Sequence, residues 1–427
     1  MQPVLRVFKH TEYSIFLSGM ALALVGVWMQ RIAVGWTVWT MTGSTAWLGV
    51  LAFLDLAPVL AIGLIGGALA DRFNRRRLLL ACEAVVLLVA VALGVLSLAG
   101  AMTLPMLLVA VFTNGVAVGM GQSSRLALVW SLVPSRDLTA AVALNSIAFN
   151  LARFIGPAIA GTIMLEVDTG YVFVVNAALS MVFVGTLMAI GRPNQNAART
   201  PSLDRPRAQS LLDEILAGWR YILKHEALGP LLILHVVLCT AIRPVAEMLP
   251  ALSTTIVGGG PGAMALLAST IGVGAVIGGV LMLVCHAMSL GLANAAMVAA
   301  ATAASSSLGL SVATSAEAAL LAFLLFGTAI GASGIAIHTV IQLAIDPRMR
   351  GRIASIDGLI YRGGPAVGAL VMGAMGDLVG LRWPIQVGAL AAFAALGVAL
   401  ASLRAIEASE AAHRDAEGHA PADGNAS

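Results

Sequence analysis

The sequence predicts an all-α polytopic membrane protein, with twelve transmembrane helices in two pseudo-symmetric six-helix bundles. Three observations carry this expectation. First, 59% of the 427 residues are hydrophobic and only 11% are charged, with mean hydropathy +0.94; a soluble chain has no means of hiding that much apolar surface. Second, apolar runs fall near 14–40, 46–70, 77–99, 104–126, 139–164, 170–191, 228–250, 263–285, 290–312, 316–341, 351–376 and 383–403. Each is about the 20 residues that cross roughly 30 Å of hydrocarbon at 1.5 Å per residue. Third, the phrase from Asn145-Ser146 through Arg153 to Gly156-Pro157-Ala158 recurs as Ala354-Ser355 through Arg362 to Gly364-Pro365-Ala366, an offset of about 208 residues. Two related halves follow.

Taken in order, the chain opens with Arg6 and Lys9 before the first run, without a small-residue cleavage pattern, so helix 1 is expected to be retained. Runs two and three flank Gly67-Ala-Leu69-Ala-Asp71-Arg72-Phe-Asn74-Arg75-Arg76-Arg77. That many arginines between two spans mark a short cytoplasmic loop by the positive-inside bias. With the N-terminus inside, Arg136, Arg192, Arg199, Arg205, Arg207, Arg348 and Arg350 also fall on the cytoplasmic side. Glu166, Asp168 and Glu317 fall opposite, with Arg382 as the exception. An even span count then returns the C-terminus to the cytoplasm. The first bundle is 1–191, a linker occupies 192–227, the second bundle is 228–403, and a tail covers 404–427. Leu211–Leu223 has apolar residues at helical spacing and reads as a helix lying on the inner membrane surface. The tail, rich in Ala, Glu, His, Asp and Gly, reads as disordered.

The arginine loop resembles the loop 2–3 signature of the major facilitator superfamily: Gly67, Leu69, Asp71, Arg72, Arg75 and Arg76 match it, and Asn74 stands where that family usually has glycine. Arg31-Ile-Ala-Val-Gly-Trp36, Thr42-Gly43-Ser44, Leu144-Asn145-Ser146 and Asn150-Leu-Ala-Arg153-Phe-Ile-Gly156-Pro157 resemble the branch containing the enterobactin exporter and the macrolide and multidrug proton antiporters. The resemblance implies a secondary transporter that rocks its halves about a central site. Gly67, Asp71, Arg72, Arg75 and Arg76 would then gate the motion, as would Gly156 and Pro157, which resemble part of the helix 5 antiporter motif. Relatives often carry an acid just before the Arg-Ile-Ala element, where this chain has Gly26-Val27-Trp28. That departure moves the expected coupling role to Asp55.

Ionisable groups at membrane depth are costly and mark functional sites by default. Counting from span ends sets Arg31 and Asp55 at matching depth, able to pair. Arg153 lies mid-helix 5 with Asn150 on the same face, and Asn114 lies mid-helix 4. Arg243 and Glu247 sit one turn apart on helix 7, flanked by Pro244 and Pro250, which can break the helix locally. Asp357 and Arg362 fall in the inner half of helix 11. A proton carrier needs a carboxylate whose affinity changes between desolvated and exposed settings; Asp55 and Glu247 lead, with Asp357 third. Trp28, Arg31, Asn114, Asn150, Arg153, Arg243 and Arg362 are the cavity candidates, with static helix-locking pairs as the competing role, above all for Arg125 and Arg153. Gly115-x-x-x-Gly119, Gly274-x-x-x-Gly278 and Gly327-x-x-x-Gly331 read as general bundle packing.

Cys82, Cys239 and Cys285 lack metal spacing, and the net charge of +3 is small, so neither a disulfide framework, a metal site nor nucleic-acid binding is expected. No catalytic phrase appears, so no enzyme activity and no cofactor are expected. The expectation is a monomeric proton-coupled exporter in a bacterial inner membrane, its partners being protons, the lipid bilayer and an amphipathic small molecule such as a siderophore or drug. Candidate arginines outnumber candidate acids, which leans the cargo toward an anion. An importer on the same fold and a non-transporting scaffold or sensor are the alternatives.

Overall fold

A computed structural model describes residues 6–72, 74–191, 228–288, 291–345 and 349–402. The linker with its Leu211–Leu223 helix and the tail beyond 402 lie outside the described residues. The helices are α1 (Thr11–Thr42), α2 (Thr45–Arg72), α3 (Arg75–Leu98), α4 (Leu104–Leu132), α5 (Leu138–Glu166), α6 (Thr169–Ala189), α7 (Leu228–Thr255), α8 (Pro261–Ala287), α9 (Leu292–Val312), α10 (Ala316–Ala344), α11 (Arg350–Val379) and α12 (Arg382–Ala401). Ten of them are long and apolar enough to cross a membrane. Of the other two, α2 is apolar over Thr45–Val59, and α11 carries Asp357, Arg362 and Asp377 along its length.

Short turns with specific caps make neighbours antiparallel. Gly43, at φ 59°, closes α1 in the left-handed region that glycine enters without strain. Asn74 accepts from the Arg77 amide at 3.2 Å and so starts α3. Arg76 donates to the Leu187 and Met188 carbonyls at 2.7 Å each, satisfying the open end of α6. Ahead of α1, Arg6 and His10 meet the buried Asp137 at 2.6 and 3.1 Å, which ties the chain start to the α4–α5 turn.

Small residues set the helix spacing. Atoms added at Gly274 and Gly278 of α8 would lie 2.4 and 2.2 Å from the Leu324 and Thr328 carbonyl oxygens of α10; at Gly327 the corresponding atom would lie 2.3 Å from the Ile271 carbonyl oxygen. The two Gly-x-x-x-Gly runs therefore mate with each other, which is more specific than general packing. Gly115 and Gly119 of α4 likewise rest on the α2 backbone at Asp55 and Val59.

The contacts between the two bundles gather, among the described residues, toward one end. Among the described residues, the close glycine contacts, hydrogen bonds and ion pairs that join them run from the middle of the helices to the end opposite the arginine loop. Gly49 faces Ala369, Gly373 faces Thr45, Gly35 faces Pro250, Gly262 faces Leu165 and Gly272 faces Phe154. Asp377 of α11 accepts from the Ser44 hydroxyl at 2.5 Å, and from the Thr45 amide and hydroxyl at 2.6 and 2.7 Å; it caps α2 from the other bundle. The apolar cores follow the same division. One cluster runs through both bundles. At the arginine-loop end the first bundle keeps a separate core, including Tyr13, Phe16, Leu128, Leu132, Phe183 and Leu187. Among the described residues, none of the contacts named above joins the bundles at that end.

Candidate functional site

Helix α7 is the element that assembles the site. His235, Cys239, Arg243 and Glu247 follow at four-residue intervals, one stripe along one face. The helix changes character under that stripe: α-helical to Val237, a π-turn over Leu238–Ile242, a 3-10 stretch over Arg243–Met248, then α-helical again to Thr255. Pro244 causes part of this, because it lacks the N–H that would bond the Thr240 carbonyl. Pro250 sits in the first turn of the restored helix, where proline fits, so it is not a second break.

At the sealed side of the middle, Arg31 of α1 donates to Asp55 of α2 at 2.8 Å and to Glu247 of α7 at 2.7 Å. The Arg31–Asp55 pair is the one expected from depth. Glu247 joins it from the other bundle, so the guanidinium fork holds the two halves together. About a quarter of each of these side chains remains exposed (31%, 25% and 21%).

Next come two cations without carboxylates. The Arg153 guanidinium lies 5.6 Å from the Trp28 ring centre, with Arg31 5.7 Å from the same ring. Arg243 lies 4.0 Å from the Tyr361 ring centre. Arg153 and Arg243 come from opposite bundles yet lie within electrostatic range of one another. Neither has a carboxylate at salt-bridge distance among the described residues. The aromatic faces offset part of the cost of holding these charges, each at about 0.5–2 kcal/mol.

Toward the arginine-loop end, Asp357 of α11 is 2% exposed. His338 of α10 meets it through Nδ1 at 2.5 Å, and His235 approaches through Nε2 at 3.3 Å. Asp357 was expected from its charge at membrane depth, whereas the two neutral-range histidines carry no such signal. A further buried pair, Arg125 to Glu83 at 2.5 Å, lies inside the first bundle and locks α4 to α3, the static role expected of Arg125.

Other candidates are placed elsewhere. Arg362 is exposed on α11, and Asp357 pairs with histidines instead of with it. Asn150 donates to the Ser146 carbonyl of its own helix at 2.8 Å. Asn114 is buried, and its side-chain oxygen has no hydrogen-bond partner. Gly156 and Pro157 are buried, and Gly156 packs on Trp28 and Val25 of α1 within the first bundle. Gly161 is the α5 glycine that reaches the other bundle, against Ala265. The side chains of Gly67, Asp71 and Arg72 lie outside the described residues. Arg75 begins α3, and Arg76 is occupied in capping α6. No group of residues able to hold a metal ion occurs among the described residues.

Known proteins share this architecture. The chain is 22% identical over 396 residues to macrolide efflux protein A of Streptococcus pyogenes, covering 90% of this chain and 94% of that one. It is 24% identical over 379 residues to the enterobactin exporter EntS of Salmonella choleraesuis, covering 87% and 86%. A 155-residue stretch is 31% identical to the staphyloferrin A transporter of Staphylococcus aureus, spanning 36% of this chain and 38% of that transporter. The nucleoside transporter NupG has the same fold, with TM-score 0.67 at 14% identity over 95% of this chain and all of that one. The family model described as transmembrane secretion effector matches residues 5–424. The chain belongs to that family of major facilitator membrane transporters, and not to an enzyme family.

Proposed function

We propose that this protein exports an anionic, amphipathic small molecule across a bacterial inner membrane in exchange for entering protons. In this reading the arginine-loop end is cytoplasmic, both termini lie inside, and a single chain suffices, its bundles rocking about a midplane site. The sealed end is then the outer one. The observation that carries the reading is the charge balance of the cleft: Arg31, Arg153 and Arg243 stand against Asp55 and Glu247. At the midplane, three cations stand against two anions, with Asp357 held apart by its histidines toward the arginine-loop end. Arg153 and Arg243, one from each bundle and neither with a carboxylate partner among the described residues, are the groups that take the anion, and Trp28 and Tyr361 offer its apolar part a surface. Two relatives are named for staphyloferrin A and enterobactin and one for macrolides, which supports an amphipathic cargo. The coupling carboxylates in this reading are drawn from Asp55, Glu247 and Asp357.

Inside-out vesicles test it, with a radiolabelled citrate-based siderophore as the anionic probe and ethidium as the cationic one. An acid-inside gradient is expected to drive uptake of the anion. Arg153→Gln or Arg243→Gln is expected to lower that uptake about tenfold or more, the loss of one charge-assisted contact of roughly 1.5–3 kcal/mol. Strong ethidium uptake with the anion ignored overturns the assignment of charge.

A further inference from the structure

The geometry points to His235, Asp357 and His338 as the proton-binding site, loaded from the arginine-loop side through the exposed flank of His338, with Arg31–Asp55–Glu247 acting as a conformational lock that carries no proton. The inference rests on the proton-driven reading above and narrows it to one place.

Three helices bring the group together at one level. Asp357 is seven residues from the start of α11, His235 seven from the start of α7, and His338 six from the end of α10. At 1.5 Å per residue, all lie about 10 Å in from the same end. The exposures differ in a directional way: the His338 side chain is 54% exposed, while Asp357 and His235 are each 3%. The face of α10 that carries His338 also approaches Tyr361 of α11. An atom added at Gly334, one turn earlier on the same face of α10, would lie 3.6 Å from the Tyr361 ring, and Tyr361 is the ring beneath Arg243. Asp357 thus has one histidine at each carboxylate oxygen, His338 at Oδ2 and His235 at Oδ1, the second at 3.3 Å and outside hydrogen-bond geometry.

The proton count closes. With Asp357 ionised and His338 neutral, His338 donates its Nδ1 hydrogen to Oδ2. A proton arriving at the exposed Nε2 makes His338 cationic, and transfer of the Nδ1 hydrogen to Oδ2 leaves a neutral acid beside a neutral imidazole of the other tautomer. The site has gained one proton and lost its net charge, which favours burial. Histidine supplies this exchange near neutral pH.

Among the described residues, the charged and titratable groups beside the site are Arg243 and Cys239 from α7 and Tyr361 from α11, and α8, which packs on α10, carries Cys285 and His286 near the same end. Cys239 Sγ lies 3.8 Å from His235 Nε2, and Tyr361 stacks on His235 at 6.3 Å between ring centres. Helix α9 presents no ionisable residue, and α12 carries only Arg382, at its far end. Tyr361 therefore touches both His235 and Arg243, which joins proton binding to the cation that takes the anion. The same two helices, α7 and α11, carry Glu247 of the lock and Asp377 of the seal farther along, so a change of charge at the histidine level acts on both.

Spin labels at Trp47 of α2 and Leu378 of α11, both exposed, report the seal in the full chain in lipid nanodiscs, with no ligand needed. The fraction of sealed protein is expected to vary with pH in the otherwise unmodified protein. His338→Gln and Asp357→Asn are expected to abolish that variation or move its midpoint by about one pH unit or more, while Asp55→Asn lowers the sealed fraction but leaves it dependent on pH. The exposed position of His338 keeps its variant foldable if Asp357→Asn is not. A pH response unchanged by both variants, or lost in Asp55→Asn alone, overturns the assignment. A protein whose seal ignores pH, and whose uptake of the anionic probe ignores the gradient, overturns the proton-driven reading itself.

Discussion

Arg31→Gln opens the sealed end. The substitution leaves Asp55 and Glu247, both within 3 Å of the guanidinium (2.8 and 2.7 Å), as two carboxylates with no cation between them. Removing one partner from a fully buried ionic group costs about 3–5 kcal/mol. Partial exposure of these side chains reduces that to about 2–3 kcal/mol, still a shift of roughly a hundredfold in a two-state equilibrium. The cost falls on the sealed state because Glu247 comes from the other bundle. A cysteine at Gly35, whose added atom would sit 3.5 Å from Pro250, reports opening by its rate of maleimide modification from the sealed side. That rate is expected to rise on the order of a hundredfold in Arg31→Gln. Neutralising all three positions together is expected to restore much of the protection, whereas Arg31→Lys restores little, because a point charge does not bridge two carboxylates as a planar fork does. A rate unchanged by Arg31→Gln contradicts the lock.

Gly368→Val is expected to disable the protein without touching any charge. An atom added at Gly368 of α11 would lie 2.0 Å from the Thr240 carbonyl oxygen and 2.6 Å from Pro244. These are the carbonyl that Pro244 leaves unbonded and the proline itself, so α11 rests directly on the irregular stretch of α7. Neither can yield as a flexible side chain does. Overpacking of this kind costs about 1–3 kcal/mol and moves backbone. The displaced stretch carries Arg243 and Glu247, so uptake of the anionic probe is expected to fall at least tenfold, by roughly the energy of one misplaced contact. Measured thermal unfolding separates this from collapse: a folded but inactive Gly368→Val supports the account, and full activity contradicts it.

Much of the architecture was legible from periodicity and length, since each span in hydrocarbon must satisfy its own backbone. Helix ends moved by only a few residues: the run near 351–376 became Arg350–Val379. The Arg31–Asp55 pair was legible too, because depth counting suffices within adjacent helices. Glu247 as its third member was not, since it crosses between bundles 216 positions apart in sequence. The repeat in α7 of His235, Cys239, Arg243 and Glu247 was a visible signal. Attention to formally charged groups alone missed it, and with it His235 and His338. The arginine loop was read as a gate from resemblance, but Arg76 is engaged in capping α6. The local need of an open helix end accounts for that arginine without reference to motion. The Gly-x-x-x-Gly runs showed their spacing in sequence but not their partners, which only the crossing of α8 with α10 supplies.

The central claim is that the seal between α2 and α11 must open for each transport cycle. Cysteines replacing Ser44 and Asp377, whose side chains now meet at 2.5 Å, can be bridged by a short bifunctional thiol reagent once Cys82, Cys239 and Cys285 are replaced. Uptake of the anionic probe into inside-out vesicles is predicted to stop on bridging and return when the bridge is reduced. Bridged protein that transports as fast as the unbridged form contradicts the account.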